Sequence, residues 1–123
     1  MTRWIVDGMN VIGSRPTGWW RDRPGAMRGL VAALGEFAAR EGEEVTVVFD
    51  GELFALEGDG VRVMFATRRG RNAADDDIAA LVERDAAPGA LSVVTSDGDL
   101  AGRVRDAGAA VVGAGEFRRR LDG

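Results

Sequence analysis

The sequence predicts an α/β fold of three layers, with a mainly parallel central sheet between helices. Five short apolar runs read as strands. Four of them are almost continuous in apolar character, the pattern of strands covered on both faces. Helical stripes alternate with these runs, giving the order strand, helix, strand, strand, helix, strand, helix, strand. No repeat or long linker interrupts the 123 residues, which predicts one domain over 1–123.

Each element has its own signal. The strands are Trp4 to Val6, Val45 to Phe49, Val61 to Phe65, Leu91 to Val94 and Ala110 to Val112. Arg62 interrupts the third, which suits a sheet edge. Met27, Leu30, Val31, Leu34, Phe37 and Ala38 recur at spacings of three and four and form one helical stripe, with Gly42 as its stop. A second helix begins near Ala73, carries Ile78, Leu81 and Val82 on one face, and ends by Pro88-Gly89. A short third helix covers Asp99 to Ala107, with Leu100 and Val104 inward. Glu116 to Leu121 makes a last turn or two. Gly8 to Pro24 is the longest irregular stretch and is expected to cover one end of the sheet.

Composition narrows the chemistry. There are 20 acids against 16 arginines, and no Lys, His or Cys. Imidazole general bases, thiol nucleophiles, ordinary zinc sites and Schiff-base lysines are therefore excluded. Carboxylates remain as the working groups, and their usual partner is a hard divalent cation. The N-terminus has no signal-peptide pattern and no apolar run is long enough to span a bilayer, so a cytoplasmic protein without membrane contact is expected. The lack of cysteine fits a reducing compartment. A net charge of −4 argues against indiscriminate nucleic-acid binding and leaves room for a local basic patch.

The aspartates fall at telling positions. Asp7 closes the first strand, Asp50 closes the second, and Asp97 follows the fourth after Thr95-Ser96. In a parallel sheet these positions share the carboxyl edge, where open α/β sheets bind ligands. Asp75, Asp76 and Asp77 occupy the first turn of the second helix. At the helical repeat, Asp75 lies roughly 70° from the centre of the apolar face, Asp77 roughly 95° and Asp76 roughly 165°. Asp75 is thus the one aimed back toward the sheet. Converging carboxylates either take up protons or are neutralised by a cation, and Mg²⁺ or Mn²⁺ is the economical choice. Taken singly, each Asp also reads as a turn or cap residue, and Asn72 with Asp75 fits an N-cap pair.

The same residues resemble a known family. Trp4-Ile5-Val6-Asp7-Gly8-Met9-Asn10-Val11-Ile12 is similar to the opening motif of NYN domains of the YacP-like branch. Val47 to Gly51 resembles the family's second strand, Ala74-Asp75-Asp76-Asp77-Ile78 its helix start, and Val94-Thr95-Ser96-Asp97 its Thr-Ser-Asp strand end. The resemblance implies a PIN-like nuclease fold with strand order 3-2-1-4-5 and divalent-metal-dependent RNA cleavage. Asp7, Asp75 and Asp97 match the metal-binding, catalytic acids. Asn10 matches the motif Asn, which steadies Asp7 or a bound water. Asp50, Asp76 and, less clearly, Asp99 match outer positions. A further acid of PIN relatives has no clear match here, since its segment holds only Glu52, Glu57 and Asp59.

Substrate contacts are expected from Arg68, Arg69 and Arg71 just before Asp75, and from Arg15, Arg21 and Arg23 after Asp7. A basic rim around an acidic centre suits a phosphodiester backbone. Trp19-Trp20 suits stacking on unpaired bases. The main reading is a metal-dependent endoribonuclease acting on single-stranded or loop RNA, messenger or ribosome-bound, through a metal-activated water. The alternative is a non-catalytic RNA-binding or ribosome-associated adaptor on the same scaffold. A phosphatase using Asp7 or Asp50 ranks low, because neither sits in an Asp-x-Asp motif. Monomer and homodimer both stay open.

Overall fold

The computed structural model describes residues 2–68, 70 and 72–123. The elements are β1 (Arg3–Asp7), α1 (Gly8–Ile12), α2 (Arg23–Glu41), β2 (Glu44–Phe49), β3 (Val61–Phe65), α3 (Ala73–Glu83), β4 (Leu91–Val94), α4 (Gly98–Asp106), β5 (Ala110–Val112) and α5 (Ala114–Asp122). The strands form one sheet in the order β3-β2-β1-β4-β5. All its pairings are parallel. The sheet is therefore wholly parallel, and the interrupted third strand does lie at an edge.

Alternation along the strands sorts side chains between two cores. Trp4, Val6, Val45, Val47 and Phe49 face one side, where α1, α2 and α5 pack. Trp4, Phe37 and Phe117 meet there with ring centroids 5.1 to 5.5 Å apart. Ile5, Val48, Leu91 and Val93 face the other side, under α3 and α4. The same period of two puts Asp7, Asp50 and Thr95 on this second side, just beyond the last apolar residue of each strand.

The sheet changes direction of growth at β1. The chain passes from β1 to β2 and β3 on one side, then crosses to β4 and β5 on the other. The carboxyl ends of β1 and β4 therefore flank a switch-point crevice, which is where such sheets take ligands.

The helices depart from the sequence expectation in two places. Gly8 to Pro24 is not irregular throughout, since α1 starts directly after Asp7 and α2 starts at Arg23. A five-residue helix is too short to show periodicity, and Gly8 and Asn10 are weak helix formers. Gly8 is needed there because a side chain would sit 2.4 Å from the Phe49 ring. The second departure is at α3, which ends at Glu83 rather than running on to Pro88. Elsewhere the signals hold. Asp22 caps α2 by accepting from the Gly25 N–H, and Gly42 closes it in the left-handed region at φ 64°. Among the described residues no helix is long and apolar enough to cross a membrane.

Candidate active site

β1 delivers Asp7 to the carboxyl edge, where it is 5% exposed. Its Cα pairs with that of Val48, two residues before Asp50. The Thr95 hydroxyl, itself buried at the end of β4, donates to Asp7 Oδ2 at 3.1 Å. The same hydroxyl oxygen accepts from the Asp97 N–H at 3.1 Å. One threonine thus ties the two strand-end acids together. Asp97 is in turn the N-cap of α4, its Oδ1 accepting from the Leu100 N–H at 2.9 Å.

Asp50 reaches across to α3. Its Oδ1 accepts from the Ala74 N–H at 2.8 Å, so a residue 24 positions away satisfies the start of that helix. Asn72, expected as the cap, sits in the left-handed region at φ 62° and makes no capping bond. Asn10 steadies the opposite wall: the Ser96 N–H donates to its Oδ1 at 2.7 Å. Ser96 Oγ then accepts from the Ala114 N–H at 2.8 Å. Three loops are locked by polar side chains before any ligand is considered.

The electrostatics single out Asp7 and Asp75. Burial, then the charges of Asp75 and Asp50, push the Asp7 carboxyl up to about 7. The Thr95 hydroxyl and the Asn10 backbone N–H pull the other way without winning. Burial, then Asp97, Asp50 and Asp76, push Asp75 up to about 6. Asp75 is the hub, since it feels all three neighbours. Among the described residues, no salt bridge joins Asp7, Asp50, Asp75 or Asp97 to an arginine. Asp85 makes the contrast plain. It bonds both guanidinium nitrogens of Arg3, at 2.7 and 2.8 Å, and is held down to about 2.

Oxygen donors that, among the described residues, make no salt bridge match the chemistry of a hard divalent ion. Among the described residues, however, no three acidic side chains stand as a ready-made cage for one. Mg²⁺ commonly takes one or two carboxylates directly and keeps several waters, so a spread set of acids fits it better than a tight cage would.

Residues 4–123 match the YacP-like NYN domain. The chain belongs to that family. Its fold is also that of two solved structures of Rae1 (YacP) from Bacillus subtilis. One, a tryptophan-to-leucine mutant, aligns with a TM-score of 0.83 at 27% identity, over 99% of this chain and 76% of that one. The other aligns with a TM-score of 0.77 at 28% identity, over 99% and 74% of the two chains. No curated protein matches the chain. The YacP-like NYN domain is a nuclease-like domain.

The other expected residues of this NYN domain are more scattered. Asp76 is exposed and paired with Arg68 and, at 2.9 Å, with Arg103. Asp99 is exposed in the first turn of α4. Arg15 pairs with Asp122 of α5. Arg23 lies over the Trp19 ring at 5.7 Å, and Arg21 over Trp20 at 6.0 Å. Trp19 packs against the core while Trp20 is 55% exposed. Arg69 and Arg71 lie outside the described residues.

Two contributors escaped the sequence reading. Thr95 is the hinge between the acids, and its signal was its place in the Thr-Ser-Asp run. Arg103, in the last turn of α4, reaches Asp76 and also lowers the Asp75 carboxyl through its charge. It has no local signature, because only the packing of α3 on α4 brings it there.

Proposed function

We propose that this NYN domain is a divalent-cation-dependent endoribonuclease acting on single-stranded or looped RNA. The observation that carries the reading is Asp7: a buried carboxyl at the switch-point crevice, facing Asp75 and Asp50, raised to about 7 and, among the described residues, without an arginine in salt-bridge contact. Asp7, Asp75 and Asp97 are the residues that would hold Mg²⁺ or Mn²⁺, with Asp50 behind them. When bound, such an ion neutralises the acids, acidifies a water and offsets charge on the leaving oxygen.

The chain's own groups do the rest. Thr95 and Asn10 keep Asp7 and the loop carrying Asp97 in register, so these two acids need little ordering on binding. Arg103 and Arg68, braced through Asp76, stand on one side of the acids and suit the phosphodiester backbone. Arg23 lines the same cavity as Asp50. Exposed Trp20 offers a face for an unpaired base.

The second reading, an RNA-binding adaptor without catalysis, draws on the lack of a ready-made acid cage among the described residues. Purified protein is incubated with single-stranded and hairpin RNA in Mn²⁺, Mg²⁺ or EDTA, beside Asp7→Asn and Asp97→Asn. Cleavage that needs the cation and is lost in both variants supports the nuclease. RNA binding without cleavage in either cation supports the adaptor.

A further inference from the structure

Beside Asp50 the surface opens into a cavity of about 340 Å³, between the start of α2 and the loop after β2. Met27, Leu53 and Phe54 give it apolar walls, and Arg23, Asp50 and Glu52 supply its polar groups. An exposed leucine means little alone. Leu53, 79% exposed, edges a cavity that shares Asp50 with the acidic cluster.

The walls are held in place. The Phe54 ring meets Phe65 edge-on at 5.7 Å and carries the Arg28 guanidinium at 5.3 Å. Arg23 lies over Trp19 at 5.7 Å, and its Nη2 is 3.9 Å from where a side chain on residue 51 would begin. An arginine plane and an aromatic ring at an apolar hollow are the groups on which unpaired bases stack. A base-paired duplex keeps its bases stacked on each other and has nothing to offer such a hollow.

We infer that this cavity is a base-specificity subsite, taking one unpaired nucleobase of the RNA next to the phosphate held at Asp7, Asp75 and Asp97. The inference rests on the ribonuclease reading for its RNA occupant. Its polar groups also choose among bases. The Asp50 carboxylate only accepts hydrogen bonds, and the Arg23 guanidinium only donates. A base with an exocyclic amine and a neighbouring acceptor matches both. Adenine, cytosine and guanine each carry an exocyclic amine beside a ring acceptor, while uracil has no amine to give.

The test uses the full chain carrying Asp7→Asn, so that RNA is bound without being cut. Short single-stranded oligoribonucleotides carry 2-aminopurine at each position in turn. One position is expected to change its fluorescence on binding unlike the others, as its base leaves its neighbours for the cavity. An abasic nucleotide or uracil there weakens binding about tenfold by anisotropy, and the amine-bearing bases bind more tightly. Leu53→Ser, at an exposed site that leaves the thermal melt unchanged, and Arg23→Ala each flatten this dependence.

RNA bound with no position distinguished overturns the inference, as does a dependence that both variants leave intact. Cleavage by the unaltered chain without base preference also overturns it and leaves the nuclease reading standing. A base-dependent position with no cleavage in either cation upholds the subsite and refutes the nuclease. Failure to bind RNA at all refutes both.

Discussion

Asp7→Asn should make this protein more stable in cation-free solution, by a margin that grows as pH rises above about 4 and is full from about pH 7. In the unfolded chain the Asp7 carboxyl loses its proton near its ordinary value of 3.8, and in the folded chain near 7. Between those values the folded state binds more protons than the unfolded one. Stability therefore falls as pH rises from about 4 to about 7 and is flat beyond. The gap of about three pK units corresponds to about 4 kcal/mol above pH 7. Asparagine removes the charge and keeps an acceptor for the Thr95 hydroxyl, though a weaker one, which leaves a gain of about 2–3 kcal/mol. For a chain of this length that is about 8–12 °C in Tm.

The assay is a thermal melt of both proteins at pH 4 and pH 8, in EDTA and in excess Mn²⁺. The variant should melt higher at pH 8 in EDTA and nearly level with the parent at pH 4. Cation at about 100 times its Kd should raise the parent by about 2.7 kcal/mol and close the gap, leaving the variant almost unmoved. A variant that melts lower at pH 8 in EDTA, or a gap of equal size at both pH values, would refute the electrostatic reasoning. An equal response of both proteins to Mn²⁺ would refute Asp7 as a ligand.

The remaining predictions separate scaffold from chemistry. Asp97→Ala removes the cap of α4 and should lower stability by about 1 kcal/mol, whereas Asp97→Asn keeps an acceptor for the Leu100 N–H and should melt like the parent. Cleavage should be lost in both, measured on the same RNA. Gly8→Ala places a methyl within 2.4 Å of the Phe49 ring and should lower unfolding free energy by about 1–3 kcal/mol in a denaturant titration. Arg103→Ala breaks a surface contact worth under about 1 kcal/mol, so its melt should barely move. Its RNA affinity should fall, with the salt dependence of binding shallower by about one phosphate contact.

The sheet was legible because its signal is local. Continuous apolar runs mark buried parallel strands, and the period of two then tells which face a residue just past each strand must take. Ile5 and Asp7, Val48 and Asp50, Val93 and Thr95 follow that rule on neighbouring strands. The helical angle at Asp75 was legible for the same reason. α1 was not, because five residues carry no period. Nor was the pairing of Asp76 with Arg103, 27 positions apart, or the capping of α3 by Asp50, 24 positions apart. Those depend on which helix lies beside which, and the chain order alone does not say how closely they pack.

Reading each aspartate as either a cap or a ligand posed a false choice. A carboxylate has two oxygens, and a hydrogen bond to one leaves the other free to act. In Asp97, Asp50 and Asp7, one oxygen takes the Leu100 N–H, the Ala74 N–H and the Thr95 hydroxyl respectively. Those bonds fix the direction of each group and so of its second oxygen. Among the described residues no hydrogen bond tethers the Asp75 side chain, and Asp97, Asp50 and Asp76 together raise its carboxyl. The structural role is then the means of the functional one. Capping α3 and α4 from the strand ends anchors two helix starts at the crevice. On this view a substitution that keeps the cap and removes the charge is the most informative one at Asp97 and Asp50, since it leaves the scaffold in place and takes away only what a cation or a phosphate would feel.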